Sequence, residues 1–179
     1  SVSVEQTASS AYLTGDNIKI KGNSFSGYKD AGLATKFADM TDASGQSLNL
    51  AGQKISISDG TNTLEYELGG TGADGVASLS ELNEKLAKDE NFKGLSASIK
   101  DGKLTFTNTT AKTADDGSKS GTTYSVKADA LGINGTVGYD KDAAAGNTVS
   151  TAFTAKVANN FTSADISGTT KLADLGIKV

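Results

Sequence analysis

KISISDGTNTLEYEL, residues 54–68, and GLSASIKDGKLTFT, residues 94–107, decide the fold of this chain. In the first, Ile55 and Ile57 alternate with serines, Asp59-Gly60 marks a turn, and Leu64, Tyr66 and Leu68 alternate with glutamates. Period-two alternation on both sides of a turn signal predicts a β-hairpin with one buried face. The second stretch repeats the scheme, with Leu95, Ala97 and Ile99 before Asp101-Gly102 and Leu104 and Phe106 after it. Between them the period changes from two to 3.6. After Gly69-Gly70-Thr71-Gly72, Ser78 and Glu81 stand at capping-box spacing, and Leu79, Leu82 and Leu86 form an apolar stripe before Gly94. The reading is a ββαββ unit within residues 48–133, its helix stripe packed on one sheet face against Ile55, Ile57, Leu95, Ile99, Leu104 and Phe106. The fold class is α+β, mostly β, with antiparallel sheets and short helices.

Outward from this unit the signals thin. Residues 1–47 complete the domain. Val2 and Val4, then Ile18 and Ile20, alternate around Gly15-Asp16 as two short strands, and Leu33, Phe37 and Met40 recur at helical spacing between Asp30 and Gly45. Asn108 to Gly121 is almost free of apolar residues and reads as an exposed loop, followed by a strand at Tyr124-Ser125-Val126. Residues 134–179 read as a Gly- and Asp-rich loop (Asn134 to Asn147), a loosely alternating strand (Val149 to Phe161) and the start of a second repeat. That repeat is Ala173-Asp174-Leu175-Gly176-Ile177, echoing Ala128-Asp129-Ala130-Leu131-Gly132-Ile133, each a helical turn closed by a C′ glycine. The opening Ser1-Val2-Ser3-Val4 lacks Met and is already strand-like, as expected of a piece of a longer protein.

Composition removes whole classes of chemistry. The 179 residues are 36% hydrophobic and 6% aromatic, so the core is thin, and there is no His, Cys, Trp or Pro. Without His or Cys there is no Ser-His or Cys-His nucleophile pair, no zinc site of the usual ligands and no group naturally poised near neutral pH. Lys supplies all the positive charge, so no guanidinium fork is present to clamp phosphate. A net charge of −4 and a pI near 4.8 disfavour nucleic acid and anionic membrane as partners. No apolar run reaches the length of about 18 residues that a spanning helix needs.

The residues Lys54-Ile55-Ser56-Ile57, Leu79-Ser80-Glu81-Leu82-Asn83-Glu84-Lys85-Leu86, Gly94 to Ile99 and Asp101-Gly102-Lys103-Leu104-Thr105-Phe106 resemble the flagellin hook IN motif, with Ala128 to Ile133 as its trailing turn. That motif belongs to bacterial flagellar axial proteins, namely flagellin outer variable domains and hook-associated or filament cap proteins. The resemblance covers about half the chain, and Leu82-Asn83 stands where the motif usually has Ile-Asn. The poverty in Cys, Trp, His and Pro, and the opening residues Ser1 to Ala8, are also similar to this family. The resemblance implies a secreted, extracellular structural domain of the bacterial flagellum that faces outward, serves motility filament architecture, forms hypervariable antigenic surface, and needs neither cofactor nor catalysis. It implies that other flagellar subunits are met through parts of the parent chain outside this fragment. The isolated fragment, lacking long apolar terminal helices, is expected to be monomeric.

The residues that could carry other functions have simpler accounts. Glu65 and Glu67 share one strand face, side by side rather than across a cleft, which is a poor glycosidase arrangement. Asp115-Asp116-Gly117-Ser118 and Asp140-Lys141-Asp142 lack the spacing of a calcium loop and read as polar turns. Asn108, Asn134 and Asn160 begin N-glycosylation triplets of a kind that a Thr-rich chain produces by chance. The family resemblance points instead to O-linked glycans, with Thr109, Thr110, Thr113 and Ser118 as candidate attachment sites. Tyr28 and Tyr139, placed in polar loops, are the candidates for a binding surface; they carry the alternative reading, a secreted adhesin or carbohydrate-binding β-domain contacting glycans or a host surface.

Overall fold

The computed structural model describes residues 24–110, 112–138 and 148–162. Thirteen strands among them, β1 (Ser24–Asp30), β2 (Met40–Thr41), β3 (Lys54–Ser58), β4 (Thr63–Leu68), β5 (Gly75–Val76), β6 (Leu95–Lys100), β7 (Lys103–Asn108), β8 (Lys112–Thr113), β9 (Lys119–Ser120), β10 (Tyr124–Ala128), β11 (Ile133–Val137), β12 (Thr148–Ser150) and β13 (Lys156–Thr162), surround one α-helix, α1 (Leu79–Ala87). The class is α+β and mostly β. The ββαββ unit is present, and its local signals act as expected. Asp59 closes the first hairpin by accepting from the Thr61 and Asn62 amides. The second closes in two residues, Asp101 (φ 53°) and Gly102 (φ 77°). Two positive φ values match the twist of the flanking strands. Ser78 accepts from the Glu81 amide, and Glu81 accepts in return from the Ala77 amide.

Where the hairpins go is different from the expectation that α1 packs on one sheet. The β3–β4 hairpin lies in a five-stranded sheet of order β11-β10-β3-β4-β5, with β4 and β5 parallel, whereas β6–β7 belongs to a second sheet of order β12-β7-β6. β11 lies against β12, and α1 contacts β6 and β5 at the opposite edges of the two sheets. The helix thus closes the gap between two sheets wrapped round one core. Leu79, Leu82 and Leu86 are buried there with Ile55, Ile57, Leu95, Leu104 and Phe106, while Ile99 is half-buried at the margin. Residues from Ala31 to Ala155 enter this one cluster, so the stretches before 48 and after 133 share the core of the central unit.

Four local expectations are corrected. Asp30 to Gly45 is not a helix: β1 ends at Asp30, a 3-10 turn occupies Phe37–Asp39, and Met40–Thr41 is β2. Phe37 and Met40 are buried as core anchors, but Leu33 is 40% exposed. Asp42 accepts from the Ser44 amide and hydroxyl and from the Gln46 amide. Such side-chain to backbone bonds compete with helical pairing. Asn134 to Asn147 is not all loop, because Ile133–Val137 forms β11 beside β10. Asn108 to Gly121 is not a bare loop either. Asn108 is 1% exposed and donates its amide to the Thr122 and Val137 carbonyls, and β8 and β9 make a small hairpin beyond it. The strand expected over Val149 to Phe161 divides into β12 and β13. Asp129–Leu131 is a 3-10 turn closed by left-handed Gly132, as its sequence signal requires. The strands expected at Val2, Val4, Ile18 and Ile20, and the second copy at Ala173 to Ile177, lie outside the described residues.

Gly102 couples the second hairpin to the residue just before β13, the last of the described strands. Its carbonyl accepts from the Ala155 amide at 2.7 Å, and a Cβ at this position would stand 2.7 Å from the Ala155 carbonyl oxygen. Gly102→Ala is expected to destabilise by about 1–3 kcal/mol, the range for a strained backbone position. Urea unfolding would register it as a lowered midpoint at unchanged slope.

Candidate functional site

The two acidic pairs among the described residues lie apart, one on β4 and one in the β8–β9 turn. Glu65 is exposed and Glu67 half-buried on the solvent face of β4, beside Ser56 and Lys54 of β3. Asp115 and Asp116 are exposed in the β8–β9 turn; Asp140 and Asp142 lie outside the described residues. Among the described residues no three His, Cys, Asp or Glu side chains gather to hold a metal ion. Hydrogen bonds in local turns hold three carboxyls below their ordinary range: Asp42 chiefly through the Ser44 side chain, Asp59 through the Asn62 amide, Asp116 through the Ser118 side chain. Burial pushes the Tyr66 and Tyr124 hydroxyls above theirs.

These directions fix the pH profile. A carboxyl with a depressed folded pKa stabilises the fold above its unfolded pKa, and that contribution is lost as pH falls through the lower folded value. A tyrosine with a raised folded pKa keeps the fold's stability below its unfolded pKa and loses it as pH rises beyond. With no His or Cys between, unfolding free energy is expected to hold level from about pH 5 to 9, weaken below about pH 4 and weaken again above about pH 10. Urea titrations across the range would check it.

The candidate glycan and binding residues are scattered. Thr109 is exposed, its hydroxyl donating to the Gly94 carbonyl. Thr110 is half-buried; its hydroxyl donates to the Asn108 side chain and accepts from the Thr122 amide. Thr113 lies in β8 and Ser118 is exposed in the adjoining turn. Tyr28 is not in a loop but in β1, 37% exposed, its hydroxyl end seated over Gly45. Tyr139 lies outside the described residues. Two open hollows among the described residues measure about 460 and 550 Å³. The first, between Lys54, Glu65, Lys127 and Asp129, has no aromatic among its described lining residues; in the second, floored by Tyr124, that ring is 1% exposed.

Two arrangements of the backbone give the molecule its character instead. The first is the seal made by α1. Asn83 donates to the Ala97 carbonyl at 2.8 Å and accepts from the Ala97 amide at 2.7 Å, occupying the outer edge of β6 as a neighbouring strand would. Two residues on, the Lys85 ammonium donates to the carbonyls of Gly72, Ala73 and Gly75 at 2.9, 2.9 and 2.7 Å, at the start of β5, and lies 5.5 Å from the centre of the Tyr66 ring. An open strand edge is a template for pairing with another chain. One short helix therefore plugs the core with three leucines and covers both flanking edges with two polar side chains. Lys85 was not singled out from the sequence. The available signal was Asn83, since asparagine inside a helix competes with helical hydrogen bonding and is disfavoured without a tertiary partner.

The second arrangement is the stem. β1 and β13 pair antiparallel from Ser24↔Thr162 to Asp30↔Lys156, so the first and last described residues lie side by side. The far end is fastened by a 2.7 Å ion pair between Asp30 and Lys156 and by the Ala31 amide donating to the Ala155 carbonyl. Comparison with protein-family models, curated proteins and solved structures finds no match for the chain.

Proposed function

We propose that this chain is a structural, surface-exposed outer domain of a bacterial flagellar filament protein, either flagellin or a filament cap or hook-associated protein, carried on the secreted, extracellular filament. The observation that carries the reading is the β1–β13 stem. A domain whose first and last described strands are adjacent can be hung from a host chain without separating the host's own ends. The edge seals at Asn83 and Lys85 support it as well, because copies crowded on a filament meet at high effective concentration and open edges would join them. The Leu82-Asn83 pair, at the position of the motif's Ile-Asn, serves both core and seal. Association through the parent chain's own helices, with the isolated domain monomeric, follows from the same reading.

The test is to replace residues 31–155 with a two-residue turn in the full parent chain. Filaments should still assemble, and antibodies raised against the isolated chain should decorate only the unmodified ones. Parent termini without long apolar heptad helices, or loss of assembly on deletion, would overturn the reading. Calorimetric binding of the isolated chain to glycans, abolished by Tyr28→Ala, would instead favour the adhesin.

A further inference from the structure

We propose that the loop joining β4 to β5 is a preformed receptor for a primary ammonium group, and that Lys85 is its built-in ligand. The inference goes beyond the flagellar reading and stands on the backbone of this one loop. An ammonium group has three N–H donors, and Lys85 directs one to each of the carbonyls of Gly72, Ala73 and Gly75. The ring of the buried Tyr66, 5.5 Å away, presents an aromatic face to the same charge. Asp74 and Asp89 add negative potential, which raises the Tyr66 hydroxyl beyond what burial alone does. Neither ion pair among the described residues, Lys93–Glu90 or Lys156–Asp30, includes Lys85. Converging backbone carbonyls hold it instead, standing in for the water of a hydrated cation.

The loop itself aims these carbonyls. The Glu67 amide donates to the Asp74 carbonyl and the Gly69 amide to the Val76 carbonyl, each at 2.7 Å, and the Gly75 amide closes on the Gly72 carbonyl at 3.3 Å. A Cβ on Gly75 would collide with the Gly70 carbonyl carbon and the Thr71 nitrogen, so the two halves of the loop are in backbone contact. A loop folded that closely on itself has little room to contract when the ammonium is withdrawn. Its three oxygens then stay converged, and preorganised acceptors bind a free donor at small ordering cost.

The atoms that Lys85→Ala deletes are those of n-propylammonium, which is therefore the probe. Titrated into the Lys85→Ala chain, it should shift the amide resonances of Gly72, Ala73 and Gly75 saturably, in the millimolar range expected of so small a ligand. With Lys85 in place the same titration should leave them unmoved. Tetramethylammonium carries the charge but no N–H donor, and its shifts should be smaller by at least about ten-fold. Lys85→Met keeps the bulk of the stem without the charge and tests the loop's shape even where Lys85→Ala fails to fold. Its Glu67 and Gly69 amides should keep their exchange protection to within about ten-fold of the unaltered chain. Loss of that protection, no saturable shift in folded Lys85→Ala, equal shifts in the unaltered chain, or equal shifts from tetramethylammonium would each overturn the proposal.

Discussion

Leu82→Ala is expected to lower the unfolding free energy by about 2–5 kcal/mol, the range for truncating a buried leucine where the surroundings cannot collapse. The reason for expecting little collapse is the position of α1. Leu82 is fully buried, and the helix that carries it is pinned on one side by the Asn83–Ala97 pair and on the other by Lys85 on the Gly72 to Gly75 carbonyls. A helix fastened at both flanks cannot slide inward to fill the space. For a domain whose total stability is of order 5–15 kcal/mol, that loss is a large fraction. Urea unfolding followed by far-ultraviolet circular dichroism would measure it. A change below about 0.5 kcal/mol, the scale of a surface substitution, would show that α1 does not plug the core.

Asn83→Ala is expected to act on stability and on association together. Removing the side chain leaves the Ala97 amide and carbonyl at the edge of β6 without their partner, a loss of about 1–3 kcal/mol for a poorly solvated group. Asn83→Asp should do no better. The carboxylate can still accept from the Ala97 amide, but its second oxygen then faces the Ala97 carbonyl, where a donor stood. Both variants also weaken the cover over the middle of the β6 edge, at Ala97. Sedimentation velocity should show monomer for the unaltered chain and concentration-dependent oligomers for the variants. Adding Lys85→Met exposes the β5 side too and should deepen the effect. Variants that lose stability yet stay monomeric at high concentration would separate the packing role of α1 from the edge-sealing one and refute the latter.

The sequence by itself determined the elements whose causes are local. Alternation of Ile55 and Ile57 with serines, the Asp101-Gly102 turn with its two positive φ values, the Ser78–Glu81 cap and the Leu79, Leu82, Leu86 stripe each follow from neighbours within a few positions. These made the ββαββ unit and the mostly β class legible. The same local view misread Asp30 to Gly45, where helical spacing of Phe37 and Met40 reflects two separate core anchors and the turn around Asp42 takes the backbone bonds a helix would need. It also missed the buried Asn108, whose partners at Thr122 and Val137 lie 14 and 29 positions away.

Only the tertiary structure decided how those elements meet. Period-two patterning says which face of a strand is buried but not which strand lies beside it, because backbone donors and acceptors are the same in every strand. The separation of the two hairpins into different sheets, the placing of α1 over both open edges, and the pairing of Ser24–Asp30 with Lys156–Thr162 across most of the chain are therefore set by the joint burial of one core. Asn83 could be read as an unusual helix residue; that it stands in for a strand beside Ala97 depends on where β6 arrives, and that is a property of the packed whole.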